Sequence, residues 1–211
     1  MKNSKKYVYE AFDGIRSERT PIFDLLRNDR VIEHYSGLLL DGEDDLHTAK
    51  IAAKNTLDAT RSVMAPNKAG HRWTDEIGNE WVSDRWTSWV QKHAIDDTEE
   101  WKKYICSFIK TVELQPDPTP EDCRSTAKEQ RRFTYGLDET VFISCTPSTA
   151  INTALFGGCG LEHFSYIWAD DRELVLRWMR ALELSRDRYI DLAAHSENCS
   201  LAMIYSDVAY K

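Results

Sequence analysis

Ser200-Leu-Ala-Met-Ile-Tyr-Ser-Asp-Val-Ala-Tyr-Lys211 is the stretch on which the reading of this 211-residue chain turns. Leu201 to Tyr205 is a short uninterrupted apolar run, the pattern of a parallel strand covered on both faces, and polar Ser206 and Asp207 follow it directly. Such a run delivers an acid to the open carboxyl end of a sheet. A strand placed this close to a chain terminus leaves its far edge bare. The expectation is therefore that positions 1–211 form the N-terminal part of a longer protein.

Three further runs of the same kind precede it. Ile22-Phe-Asp-Leu-Leu26 follows Pro21, a residue that suits the start of a strand. Ala59 to Ala65, with Val63 and Met64, is a weaker second strand ending at Pro66-Asn67, and Thr140-Val-Phe-Ile-Ser144 is a clear buried third. Polar groups gather where each strand ends: Asp24, Arg27, Asn28 and Arg30 after the first, Cys145 and Thr146 after the third, Asp207 and Tyr210 after the fourth. That placement is typical of α/β active sites.

Helical segments alternate with these strands. Val8, Phe12 and Ile15 recur at helical spacing over residues 5–16, residues 43–58 open with acids and continue with good helix formers, and Trp101, Tyr104, Ile105, Phe108 and Ile109 mark a firm helix over 97–110. Another helix is expected over 121–133. One more begins at 148, pauses at Gly157-Gly-Cys-Gly160 and resumes to Trp168. The glycines lack both the GK[ST] and the GxGxxG frame, so they are read as a break between helices and not as a phosphate loop. The best-marked helix starts with Asp170 as cap and Glu173 three residues on, and carries Leu174, Val175, Trp178, Met179, Leu182, Ile190 and Ala193 as its stripe.

Strands separated by helices make a parallel α/β unit. The long intervals between strands favour a decorated (β/α)8 TIM barrel, of which only about the first four strands are present, over a doubly wound sheet. On this reading residues 1–211 are the N-terminal half of a single barrel domain.

Between Gly70 and Trp101 lie five of the seven tryptophans, and Gly78-Asn79 signals a hairpin excursion. These rings are either an aromatic plug over the sheet or a wall of a site for a large flat ligand. Composition sets the remaining bounds. The chain is 42% hydrophobic and 29% charged, ordinary values for a globular core. Thirty-five acidic against 27 basic residues give a net charge of −8, which repels phosphate backbones and argues against nucleic acid as the main partner. No apolar h-region follows the basic N-terminus and no window resembles a membrane span, so a cytoplasmic protein is expected. The five cysteines are widely spaced without any CxxC and are read as reduced core thiols. His71, His163 and His195 lack paired ligand spacing, which favours structural or surface roles.

Three segments in order, Glu10-Ala-Phe-Asp-Gly-Ile-Arg-Ser-Glu-Arg-Thr-Pro-Ile-Phe23, Ala154-Leu-Phe-Gly-Gly-Cys-Gly-Leu-Glu-His-Phe164 with Ala169-Asp-Asp-Arg-Glu-Leu-Val175, and Ser206-Asp-Val-Ala-Tyr-Lys211, resemble the uroporphyrinogen decarboxylase superfamily. The resemblance implies a (β/α)8 barrel with its site at the carboxyl ends of the strands. It also implies one of two chemistries. The decarboxylases proper, lyases of porphyrin biosynthesis, hold a tetrapyrrole's carboxylates with an Arg-Gln-Ala-Gly-Arg stretch after strand one and use no metal. Here that stretch is Leu26-Arg-Asn-Asp-Arg30: Arg30 is in place, Arg27 is shifted by one residue, and Gln-Ala-Gly is missing. A guanidinium clamp is a geometric device, so the shift weighs against porphyrinogen binding.

The other branch comprises methyltransferases that move a methyl group between a corrinoid protein and a thiol such as coenzyme M, with zinc activating the thiol. Ser206-Asp-Val-Ala-Tyr210 resembles this branch, whose His-x-Cys and later Cys ligands would lie downstream of Lys211. The resemblance thus implies a methyltransferase, with the decarboxylase as alternative and a noncatalytic binding module as the second. Asp207 and Asp24 are the candidate catalytic residues, and Arg27, Asn28, Arg30, Cys145, Thr146 and Tyr210 the candidate substrate-binding ones. Simpler roles stand beside these: Asp24 as a helix cap, Arg27 and Arg30 in surface pairs with Asp29 or Glu33, Asp207 as a cap for a following helix, and Cys145 as a core thiol. The fragment alone is expected to be inactive, and its bare strand edges to favour self-association.

Overall fold

The computed structural model describes residues 3–145, 148–194 and 201–204, apart from the side chains at 132, 133, 145, 156 and 157. Helix α1 (Ser4–Phe12) buries Ser4 and Val8. It stops short of the expected residue 16 because Gly14 takes φ 70°, a left-handed conformation, and Ile15 is left exposed. Helix α2 (Asp29–Ser36) was not expected. Asn28 caps it by accepting the Val31 N–H at 3.2 Å, and Gly37 closes it in the left-handed region. Helix α3 (Asp45–Thr56) presents Ala49, Ala52 and Ala53, small enough for Ile32 of α2 to pack closely against them.

The expected strand over 22–26 reduces to one parallel bridge, Phe23 to Ala59. Asp24 accepts the N–H of Leu25 on its own side chain at 2.7 Å, a local bond that competes with a ladder. Strand β1 (Ala59–Thr60) is likewise shorter than 59–65, because the Thr60 hydroxyl bonds the carbonyls of Asp24 and Ser62 (2.9 and 3.0 Å) and bends the chain away.

An antiparallel insertion follows: β2 (Arg72–Thr74), β3 (Glu80–Ser83) and β4 (Ser88–Lys92), with Trp73 opposite Trp81 and a bulge between Glu80 and Trp81. The Gly78-Asn79 turn signal holds, with Gly78 at φ 100°. Helices α4 (Thr98–Leu114) and α5 (Pro120–Thr134) match expectation, the second opened by a capping box between Thr119 and Asp122. Strand β5 (Val141–Cys145) leads into α6 (Ala150–Asn152) and a π-helical turn, Thr153–Gly158. Helix α7 (Gly160–Asp170) and the long α8 (Arg172–Ala194) then precede β6 (Leu201–Met203). The cap of α8 is Asp171, not Asp170: its carboxylate accepts the Leu174 N–H at 3.0 Å, while Asp170 ends α7 and pairs with Lys102.

The architecture is therefore mixed α/β. Strands β1, β5 and β6 form a parallel sheet in chain order, and the Phe23 bridge extends that order on the outer side of β1. The described strands do not close into a barrel. Val8 of α1 packs on one face, against Ala59, Val141 and Ile143, and Phe142 packs into the cluster built by α2 and α3. The largest apolar cluster lies among α4, α7 and α8 around Trp101, Ile105, Ile167, Val175 and Trp178. Truncating one of its buried aliphatic residues to Ala is expected to cost about 2–5 kcal/mol.

Candidate functional site

Because the strands are parallel, the chain leaves Phe23, Thr60, Cys145 and Met203 at the same end of the sheet. Asp24, Arg61, Ser62 and Ile204 are thereby set along one rim. The Thr60 hydroxyl, bonded to the Asp24 carbonyl, locks the first two exits together. Cys145 is the last residue of β5, paired with Met203; its side chain, together with Thr146, Asp207 and Tyr210, lies outside the described residues.

Asp24, Arg27, Asn28 and Arg30 are all exposed. Asp24 does not cap a helix, since that role belongs to Asn28, which is thus a structural residue. Neither arginine pairs with Asp29 or Glu33. Asp29 accepts hydrogen bonds from Arg85 and from the Trp86 indole N–H, and Glu33 accepts the Leu40 N–H at 3.2 Å. Arg27 and Arg30 carry no ion pair among the described residues. Arg27 and Arg30 stand either side of the Asn28 cap of α2, where their charge and the helix dipole favour an anion.

The insertion closes on this segment. Trp86 packs with Ile32, Leu57 and Val63, so one ring acts as the expected plug. Two more form a row with a histidine: His71 stacks on Trp73 at 5.7 Å and Trp73 on Trp81 at 5.9 Å, with planes within 18° and 11°; Trp89 is exposed and Trp101 is buried in the core of α4. Trp81 is fixed by Asp75, whose Oδ2 accepts the indole N–H at 2.8 Å and whose Oδ1 accepts the N–H groups of Ile77, Gly78 and Asn79. Burial alone would raise the Asp75 carboxyl; the bonds from Trp81, Asn79 and Ile77 hold it at about 2 instead. A cleft of about 630 Å³ opens beside Arg85, lined by residues 40–46 and 65–68, among them Asp41, Glu43, Asp44, Asp45 and Lys68.

The most constrained ionic group lies at the opposite end of the sheet. Asp58, fully buried just before β1, is gripped by both terminal nitrogens of Arg19 at 2.6 Å, by the Ser4 hydroxyl at 2.6 Å and by the Ile22 N–H at 2.8 Å. The Arg19 guanidinium, which also lies 4.5 Å from the centre of the Tyr7 ring, holds the carboxyl well below the usual carboxylate range against the effect of burial. Its place at the amino ends of the strands makes it a clamp joining α1, the 19–22 segment and β1. Nothing in the sequence singles out Arg19 as its partner; an acid directly before a buried strand, Asp58 ahead of Ala59, was the available signal.

Among the described residues no group of three His, Cys, Asp or Glu side chains is placed to hold a metal ion. Among them, too, no helix is long and apolar enough to cross a membrane. Cys123 and Cys159 are buried thiols as expected, whereas Cys106 is exposed. Comparison of the chain with protein-family models, curated proteins and solved structures finds no significant match.

Proposed function

We propose that this chain supplies the first half of a (β/α)8 barrel of the uroporphyrinogen decarboxylase superfamily and acts as a methyltransferase between a corrinoid protein and a thiol. The observation that carries the barrel reading is strand order. Phe23, β1, β5 and β6 neighbour one another in chain order, whereas a doubly wound sheet reverses direction at a switch point. The choice of chemistry rests on Ser206-Asp-Val-Ala-Tyr210 and on the shifted arginines of Leu26-Arg-Asn-Asp-Arg30.

In this reading the rim is the active-site mouth. Arg27 and Arg30 hold the anionic group of the thiol substrate, a sulfonate or carboxylate, by charge-assisted hydrogen bonds. Asp24 orients the bound molecule, and Asp207, read as catalytic from the sequence, supplies a second carboxylate. The row of His71, Trp73 and Trp81 stands on the insertion that follows β1 and offers aromatic surface to a corrin ring. The described residues offer no ligand set for zinc, so its His and Cys ligands would come from elsewhere in the protein.

The exposure of Arg27 and Arg30, and their lack of an ion pair among the described residues, also suit the decarboxylase alternative, in which they would clamp tetrapyrrole carboxylates. Assaying the full-length gene product with methylcobalamin plus coenzyme M, and separately with uroporphyrinogen, distinguishes the two. Formation of the methyl thioether supports the methyltransferase. Release of carbon dioxide from the porphyrinogen without methyl transfer makes the decarboxylase correct, and neither reaction leaves a binding module.

A further inference from the structure

Away from the rim, a cavity of about 260 Å³ lies where the π-helical turn Thr153–Gly158 meets the start of α7. The irregular turn is imposed by packing: a Cβ at Gly158 would come within 3.1 Å of the Trp178 ring, and Gly160 takes φ 74°. Turns of this kind often open sites in otherwise regular helices. Ile95 and Leu155 make the cavity largely apolar, and Trp101 forms another part of its wall.

One buried hydrogen-bond donor among the lining residues lacks an acceptor among the described residues, and other polar groups stand beside it. Trp101 is 2% exposed, and its indole N–H has no partner among the described residues. Helix α7 starts without a side-chain cap, so the amides of its first turn have no side-chain acceptor. His163 in that turn lies 2.9 Å from the Thr98 hydroxyl through Nδ1, which leaves its Nε2 as a further polar group at the wall. Burial pushes the Cys159 thiol up to about 11, so it stays uncharged. Asp96, exposed at the edge, is the single acid lining the cavity, and it restricts a bound anion to low charge.

We propose that this cavity binds a small organic carboxylate, its oxygens meeting the Trp101 N–H and the amino end of α7 while its carbon skeleton lies on Ile95 and Leu155. Its lining shares no residue with the rim, and the proposal is independent of the methyltransferase reading.

Isothermal titration of the full-length gene product with sodium benzoate, with benzyl alcohol as the uncharged comparison, tests this. Saturable binding of benzoate is expected at millimolar concentration, with benzyl alcohol weaker. Trp101→Phe, which deletes the N–H and keeps an aromatic ring there with some loss of core packing, should weaken benzoate by about tenfold or more, the usual effect of losing a hydrogen bond to a charged group. Leu155→Trp, which fills the space, should abolish binding with little change in melting temperature. Absence of saturable binding by the unaltered protein, or equal binding of benzyl alcohol, overturns the proposal. So does undiminished binding by Trp101→Phe, which would show the indole N–H to be held by the Tyr104 ring, 5.5 Å away and edge-on.

Discussion

Trp86 is tied to Asp29 across 57 residues of chain: its indole N–H donates to Asp29 Oδ1 at 2.8 Å, while Arg85 donates to Oδ2. One carboxylate therefore fixes the antiparallel insertion to the first turn of α2, the helix whose start carries Arg27 and Arg30. Trp86→Phe keeps the ring in its apolar cluster and removes one bond, at a cost of about 1 kcal/mol. Asp29→Ala leaves two half-buried donors unmatched and should cost about 2 kcal/mol. Urea melts measure both, and faster hydrogen exchange confined to residues 80–92 and 29–36 would show that the tie is local.

The Arg19–Asp58 clamp should make the fold acid-sensitive. The folded-state value of Asp58 lies below its unfolded value, so its contribution is complete above the unfolded range near 4 and is lost as pH falls below it. Asp58→Asn keeps the shape but removes the charge facing Arg19; a loss of about 3 kcal/mol at neutral pH is expected. The variant should also show a flatter stability profile between pH 5 and pH 2. A denaturant series across that range measures it, and an unchanged slope would count against the clamp.

Asp75 organises its turn through three backbone N–H groups and the Trp81 indole. Its carboxyl, held at about 2, contributes stability above the usual carboxylate range that fades as pH falls from about 4 towards 2. Asp75→Ala should release Trp81, shift tryptophan emission to the red and lower stability by about 2 kcal/mol. Asp75→Asn, whose amide nitrogen cannot accept the Trp81 and Asn79 N–H groups that Oδ2 receives, should keep the backbone turn through Oδ1 but still release the indole.

Gly158 has no room for a side chain, because a Cβ there meets two ring atoms of Trp178 at 3.1 and 3.2 Å. Gly158→Ala should cost about 1–3 kcal/mol through overpacking. Trp178→Phe, which shortens the ring on that side, should recover part of the loss in the double variant.

How much of this was legible in the sequence depended on whether burial or a specific contact decided each element. Helix α4 was legible because Trp101, Ile105 and Ile109 are buried at helical spacing, and β5 because Val141 and Ile143 pack on Val8. Helix α2 was missed. Its only buried residue is Ile32, and its defining cap, Asn28, sits in a polar string that resembled a strand's mouth. The first strand was overestimated because side-chain bonds of Asp24 and Thr60 draw the backbone out of the ladder, a competition that periodicity does not register. Asp24 was expected at a strand exit and follows the Phe23 bridge, but the roles of Asp29, Asp58 and Asp75 were not foreseen. Each depends on partners far away in the fold or on a turn's geometry.

The most direct test of the account is steady-state methyl transfer from methylcobalamin to coenzyme M by the full-length gene product and by its Arg27→Ala, Arg30→Ala double variant, side by side. The unaltered protein is predicted to form the methyl thioether, and the double variant to need about a hundredfold more thiol for half-maximal rate, as expected for two lost charge-assisted bonds, with an unchanged melting temperature. No thioether from the unaltered protein, or a double variant with the same thiol dependence, would contradict it.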